Sequence, residues 1–218
     1  MFVGHTAVAL AAKRWTPRVP LGVLVGAAFW LDLVWPLFLL LGIERVRIEP
    51  GTTRCTPLAF EWYPWSHSLL LVLGWSALLG WLWRRRAGTR EAAIVVAALV
   101  SSHWVLDAVS HRPDLPLWPG SRILAGLGLW NSPAATLVVE GALFAAGLAL
   151  YLATARPKDR TGTLALWSFV VVQLALWVAG AFGPPPPSAE TVAWASLATW
   201  LLPVWAGWAD RHHTLRAA

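Results

Sequence analysis

Cysteine is nearly absent from this chain: Cys55 is the only one in 218 residues, which excludes an intrachain disulfide and a cysteine-based zinc cluster. Charge is scarce as well, with 13% charged residues against 57% hydrophobic ones, far from the profile of a soluble domain. Neither a Gly-rich phosphate loop nor a nucleophile elbow is present, so the sequence offers no support for chemistry built on either motif. No basic region precedes the first apolar stretch. Its charges, Lys13 and Arg14, follow it, so the segment reads as retained even though Ala9 to Ala12 offers small residues for cleavage.

What is abundant is apolar and aromatic. There are 17 Trp and the mean hydropathy is positive, the composition of an integral membrane protein. The net charge of +6 does not point to nucleic acid, because the basic residues sit in short clusters between apolar runs, as topology determinants do. Runs at about 21–42, 66–84, 91–110, 134–155, 163–182 and 191–208 approach or exceed the roughly 20 apolar residues that a crossing needs. The expected fold is therefore an all-α polytopic bundle of six transmembrane helices with a short N-terminal half-helix at 2–12. It is one integral membrane domain over 1–218, with a core at 1–120 and additional helices at 121–218. Helix breakers mark the linkers: Pro17 and Pro20, then Pro113, Pro116 and Pro119, then Pro184 to Pro187. No internal repeat is evident.

Of the 17 basic residues, 12 fall in one set of alternate segments, including Lys13, Arg84 to Arg86, Arg156 and Arg211. By the positive-inside rule this side, with the N-terminal basic turn and the C-terminus, is expected in the cytoplasm. Intramembrane ionisable groups then gather in the opposite half. His103 and Asp107 stand four apart, on one helical face, as a metal-ligand pair or as a His–Asp hydrogen bond between helices. His111 extends the stripe, but an ideal helix would put it roughly 12 Å from His103. It and Asp114 can approach only if the chain bends near Arg112-Pro113. Ser66 is read as the N-cap of the helix that follows it, placing His67 at the interface as ligand, general base or plain polar residue. Asp32, in mid-span, needs a cation, a proton or a donor. His5 and Asp32 lie roughly 18 and 22 Å from their shared turn and so at one depth. Glu140 is expected to be a structural acid paired with Arg122 or Arg112, or a group supporting the site. The tryptophans read as an interfacial belt, and His212-His213 as an exposed tail.

The ordered set Gly4-His5-Thr6, Asp32, Ser66-His67-Ser68 and Ser102 to Asp107 resembles the bacterial membrane-bound metal-dependent hydrolases, an inner-membrane family, over about residues 1–120. The resemblance implicates His5, Asp32, His67, His103 and Asp107 as metal ligands or their neighbours, and implies hydrolysis of a lipid or lipid-linked (phospho)ester. One acid of the family pattern is missing, since Leu31-Asp32-Leu33-Val34 stands where a Pro-Asp-x-Asp element is usual. That favours one metal over two, and His111 or Asp114 could supply the absent ligand.

The expectation is thus a bacterial inner-membrane enzyme holding a divalent metal, with zinc favoured. The expected ligands are His103, Asp107, His67, Asp32, His5 and His111, with His67 and Asp32 also acting on the water. Arg112 and Arg122, with Asp114 beside them, are candidates for substrate contact, the arginines through a phosphate head group. The expected partners are membrane lipid and a lipid-like substrate, and no nucleic acid. A small ion-coupled permease and a non-catalytic membrane scaffold are the alternatives. A permease predicts ionisable groups through the whole membrane depth, whereas here the inner half is almost free of them.

Overall fold

The computed structural model describes residues 1–87 and 89–216 and is 67% helical. Helix α1 (Phe2–Ala12) turns at the Pro-rich link into α2 (Leu21–Ala28), which meets α3 (Trp30–Leu40) at a bend of 56°. A hairpin of β1 (Arg45–Ile48) and β2 (Leu58–Trp62) follows, then the one-turn helix α4 (Pro64–His67), α5 (Leu69–Ala87) and α6 (Arg90–Ser110). The short strands β3 (Leu115–Pro116) and β4 (Leu124–Ala125) lead to α7 (Pro133–Thr154), β5 (Ala155–Pro157) and α8 (Arg160–Phe182). The chain closes with α9 (Ala189–Ser196), α10 (Leu201–Arg211) and β6 (His213–Leu215).

Six spans are not supported. Among the described residues four helices are long and apolar enough to cross a membrane, or five if the bent α2–α3 pair is counted as one. The expected span at 66–84 falls short because α5 ends in Arg84, Arg85 and Arg86. Its uninterrupted apolar stretch is about 15 residues or roughly 22 Å, less than the roughly 30 Å of a hydrocarbon core. The short N-terminal helix is present as α1. The segments at 43–65 and 111–133, which lie between apolar runs, each fold into an antiparallel ribbon. The expected exposed tail is also ordered. β6 pairs with β5, and His213 is buried with its Nδ1 2.7 Å from the Ala209 carbonyl oxygen.

Caps fix the long helices where the sequence supplies them. Ser132 Oγ accepts from Ala135 N (3.3 Å) ahead of Pro133, and Asp159 Oδ1 accepts from Gly162 N (2.8 Å). The apolar core is formed by α1, α2, α6, α7, α8 and α10, around Leu10, Leu24, Phe29, Val100, Phe144 and Leu166. Helix α1 approaches α7 closely because Gly147 has no side chain: a methyl group there would overlap the Ala7 carbonyl. This close approach helps bury His5 in the bundle. The far end carries the basic clusters, where Lys13 is buried and its Nζ bonds Asp210 Oδ2 (2.7 Å) and the Val19 carbonyl (2.9 Å).

Candidate metal centre

Four segments converge at the end of the bundle opposite those basic clusters. Helix α6 carries His103 and Asp107 on one face, both buried, with His103 Nε2 3.1 Å from Asp107 Oδ2. Helix α1 stacks His5 on His103 at 3.7 Å between ring centroids, and His5 Nε2 lies 3.2 Å from Asp107 Oδ1. The same carboxylate oxygen accepts from the Met1 amino group. The bend before α3 presents Asp32, whose Oδ1 is 3.7 Å from His103 Nε2 and 3.8 Å from His67 Nε2. His67 Nε2 is in turn 3.7 Å from Asp107 Oδ2. Two sets of three, His5–His103–Asp107 and Asp32–His67–His103, each bring their ligand atoms within 4.8 Å of one another.

His111 joins this cluster where the chain bends, next to the Arg112-Pro113 step at which a bend is expected. Helix α6 ends at Ser110 and His111 is already extended (φ −67°, ψ 152°), so the chain bends before Arg112-Pro113. Its Nε2 lies 4.0 Å from Oδ2 of Asp107, the carboxylate four residues earlier. Residues 126–128 fasten the bend. Leu127 N donates to the Ala108 carbonyl (2.8 Å) and Gly128 N to the His111 carbonyl (2.6 Å), which satisfies groups that a helix end leaves open. Gly126, with φ +153°, passes so close to the Arg112 carbonyl that no side chain fits there.

Each of three imidazoles is held by its Nδ1. That of His103 is 2.7 Å from the Ala28 carbonyl oxygen, a group that can only accept, so Nδ1 carries the proton. That of His111 is 3.0 Å from Asp114 Oδ1. That of His67 is 2.7 Å from Ser66 Oγ, which donates to Glu44 Oε2 (2.6 Å) while the Ser66 amide donates to Glu44 Oε1 (2.8 Å). Once Glu44 is ionised it accepts the Ser66 hydroxyl hydrogen bond, and Ser66 Oγ is left to accept from His67 Nδ1–H. All three rings then turn a bare Nε2 toward the Asp107 and Asp32 carboxylates. Beyond the Met1 ammonium already held by Asp107 Oδ1, lone pairs facing one another at these distances call for a further proton or cation, and His103 Nε2 has no hydrogen-bond partner among the described residues. A divalent ion fits that requirement, with neutral imidazoles anchored through the opposite nitrogen as metal-binding histidines are. His5 differs, because its Nδ1 has no partner and its Nε2 faces Asp107, so it also orients the carboxylate.

The remaining expected residues fall outside this point. Asp114 holds His111, accepts from Tyr63 Oη (2.8 Å) and pairs with Arg112 Nε (3.4 Å). Burial, and then the Asp114 carboxylate, push the Tyr63 phenol well above its ordinary range, which keeps it a donor. Arg112 lines a cavity of about 460 Å³ together with Asp114 and Tyr63, whereas Arg122 is exposed. Ser66 is not an N-cap: α5 starts at Leu69, and Ser66 belongs to the preceding turn and serves Glu44. Glu140 pairs with neither expected arginine and accepts from Trp130 Nε1 (3.2 Å).

The sequence reading missed Glu44, which is buried and 22 residues before Ser66. Burial raises its carboxyl from 4.5 to about 7, against the opposing pull of the Ser66 hydrogen bonds. The folded protein therefore binds this proton more tightly than the unfolded chain, and stability from this group falls as pH rises from about 4.5 through 7. Glu44→Gln should flatten the melting temperature between pH 5 and pH 8. It should also weaken zinc binding at pH 8 by roughly 10–100-fold, as loss of a partner behind a ligand does. An unchanged zinc affinity would show that the Ser66–Glu44 pair plays no part in presenting His67.

No curated protein and no solved structure matches the chain. Residues 64–183, more than half of the 218, match the YdjM inner membrane protein family. That stretch differs from the 1–120 over which the resemblance was read. It holds His67, His103, Asp107, His111 and Glu140 and omits His5 and Asp32. With the apolar helices and the extent of this match in agreement, the chain belongs to the YdjM inner membrane protein family.

Proposed function

We propose that this inner-membrane protein is a metal-dependent hydrolase acting on a lipid or lipid-linked phosphoester or ester. The observation that carries the reading is the shared orientation of His67, His103 and His111: each is anchored at Nδ1 and each turns Nε2 toward Asp107. Zinc is the favoured ion, because imidazole nitrogens and carboxylate oxygens are its usual ligands in the absence of thiolate. Such an ion supplies Lewis-acid polarisation of an ester oxygen and lowers the pKa of a water.

The chain's own residues divide the remaining work. His103 and Asp107 are the central ligands, and His67 completes the set with His111 or His5. Asp32 keeps 30% of its side-chain surface exposed and lines a cavity of about 210 Å³ with His67 and His111. It is the group placed to take a proton from an attacking water. Arg112, half-exposed in the neighbouring cavity across Phe60, would meet a phosphate. With the basic end in the cytoplasm, as its Arg and Lys clusters favour, the centre faces the outer half of the membrane and a lipid enters sideways.

Metal analysis of the purified protein tests this directly. Stoichiometric zinc is expected, together with zinc-dependent hydrolysis of a chromogenic phosphate ester that His103→Ala abolishes. Protein that holds no metal and shows no hydrolysis on added zinc would overturn the reading.

A further inference from the structure

We propose that the crevice beneath Glu140 is a cation subsite beside the metal centre, and that it takes the ammonium group of an amino-alcohol phosphoester of the phosphoethanolamine type. Glu140 is fully buried in α7. Its Oε1 accepts from Trp130 Nε1 (3.2 Å), while Oε2 has no hydrogen-bond partner. A buried carboxylate oxygen left open is costly, so a partner is called for. The Val3 amide at the start of α1 faces the carboxylate, and the Met1 amino group lies within electrostatic reach but gives its hydrogen bond to Asp107.

The space beside Glu140 is a cavity of about 180 Å³ lined by Trp130, Trp177, Thr136 and Cys55. Its wall is fixed. Cys55 N donates to the Trp130 carbonyl (3.1 Å), Thr136 Oγ1 donates to the Leu129 carbonyl (3.0 Å), and Cys55 Sγ reaches Thr136 Oγ1 (3.6 Å). A carboxylate in a crevice lined by two tryptophans can recognise an alkylammonium by charge, with aromatic surface alongside. It suits a divalent ion poorly, since no second carboxylate or imidazole lines the crevice. An anion is repelled.

Position ties this pocket to the centre. The Trp130 ring packs on His111 at 4.5 Å between centroids and its N–H holds Glu140. Trp130 and Phe2 line both cavities. The ammonium pocket and the proposed ester site are thus neighbours that share two walls, and a short amino alcohol is the class of linker that would join two adjacent sites. The phosphoester half of this assignment rests on the metal-hydrolase reading, whereas the ammonium half stands on Glu140 alone.

The test uses the full chain in nanodiscs, zinc-loaded and metal-free, titrated with O-phosphoethanolamine and with glycerol phosphate while tryptophan fluorescence is followed. The expected result is a preference of about tenfold or more for the amine. Glu140→Gln should remove that preference and leave zinc and glycerol phosphate affinities in place. Nanodiscs of phosphatidylethanolamine against phosphatidylglycerol then distinguish a lipid head group from the soluble ester. Equal affinity for the two probes in the native protein overturns the proposal whether or not the variant folds. So does an equal loss for both probes in Glu140→Gln, which would mark a protonated structural acid. Metal-free protein that keeps the amine preference, from a preparation that never binds zinc, would sink the hydrolase reading and leave this subsite standing.

Discussion

Asp107→Ala protein is expected to bind no zinc at concentrations that saturate the native chain. Asp107 is the hub of the centre: Oδ1 accepts from Met1 N and faces His5 Nε2 at 3.2 Å, and Oδ2 is 3.1, 3.7 and 4.0 Å from His103, His67 and His111. Removing it takes away a proposed ligand and the negative charge that four imidazoles share. The loss of affinity should exceed the roughly 10–100-fold expected when only a supporting partner is removed. Thermal melts supply a second readout. Zinc at about 1,000 times its dissociation constant stabilises a folded protein by roughly 4 kcal/mol, and this gain should appear in the native chain and vanish in Asp107→Ala. Asp107→Asn keeps the shape and serves as the control for folding. Equal zinc content in the native and Asn proteins would remove Asp107 from the ligand set.

The largest effect on stability is expected from Lys13→Ala at the opposite end. The Lys13 and Asp210 side chains are 5% and 14% exposed and meet at 2.7 Å. Asp210 Oδ2 also accepts from Leu21 N (2.9 Å) at the start of α2, so this one oxygen joins the α1 turn, α2 and α10. Truncating the lysine leaves the largely buried Asp210 carboxylate with the Leu21 amide but no counter-charge, at a cost of up to about 3–5 kcal/mol. Apolar replacement of both partners should recover most of that loss, because burying an ion pair gains little over good packing. Reversible unfolding in mild detergent measures both variants. A loss below about 1 kcal/mol for Lys13→Ala would place the pair among solvent-screened surface bridges.

The candidate centre was legible where ionisable residues stand out against apolar ones. His103 and Asp107 share a helical face by spacing alone, and depth counting from the Pro-bracketed turn brought His5 and Asp32 to one level. Glu44 escaped for the opposite reason. It lies just beyond the apolar run of α3, where a carboxylate is unremarkable, and its partner Ser66 is 22 residues on. Trp130 was hidden among 17 tryptophans; only the fold shows that it touches both His111 and Glu140. The β1–β2 hairpin left a trace in the alternation Arg45-Val46-Arg47-Ile48, whose burial alternates in turn. The span count failed because the run at 66–84 was counted from Ser66, in the turn before α5, to the first of the arginines near its end, which leaves too short an apolar stretch between.

The bend at Phe29 has a consequence for the centre as a whole. In a continuous helix the Ala28 carbonyl would accept from the amide four residues on, which is that of Asp32. Here that carbonyl is taken by His103 Nδ1. The interruption of one helix thus supplies the anchor for a ring on another and swings out the carboxylate that this ring faces. Straightening the pair would return the carbonyl to the Asp32 amide and release the His103 ring and the Asp32 side chain together. Two proposed ligands from separate segments are thereby tied to a single backbone carbonyl.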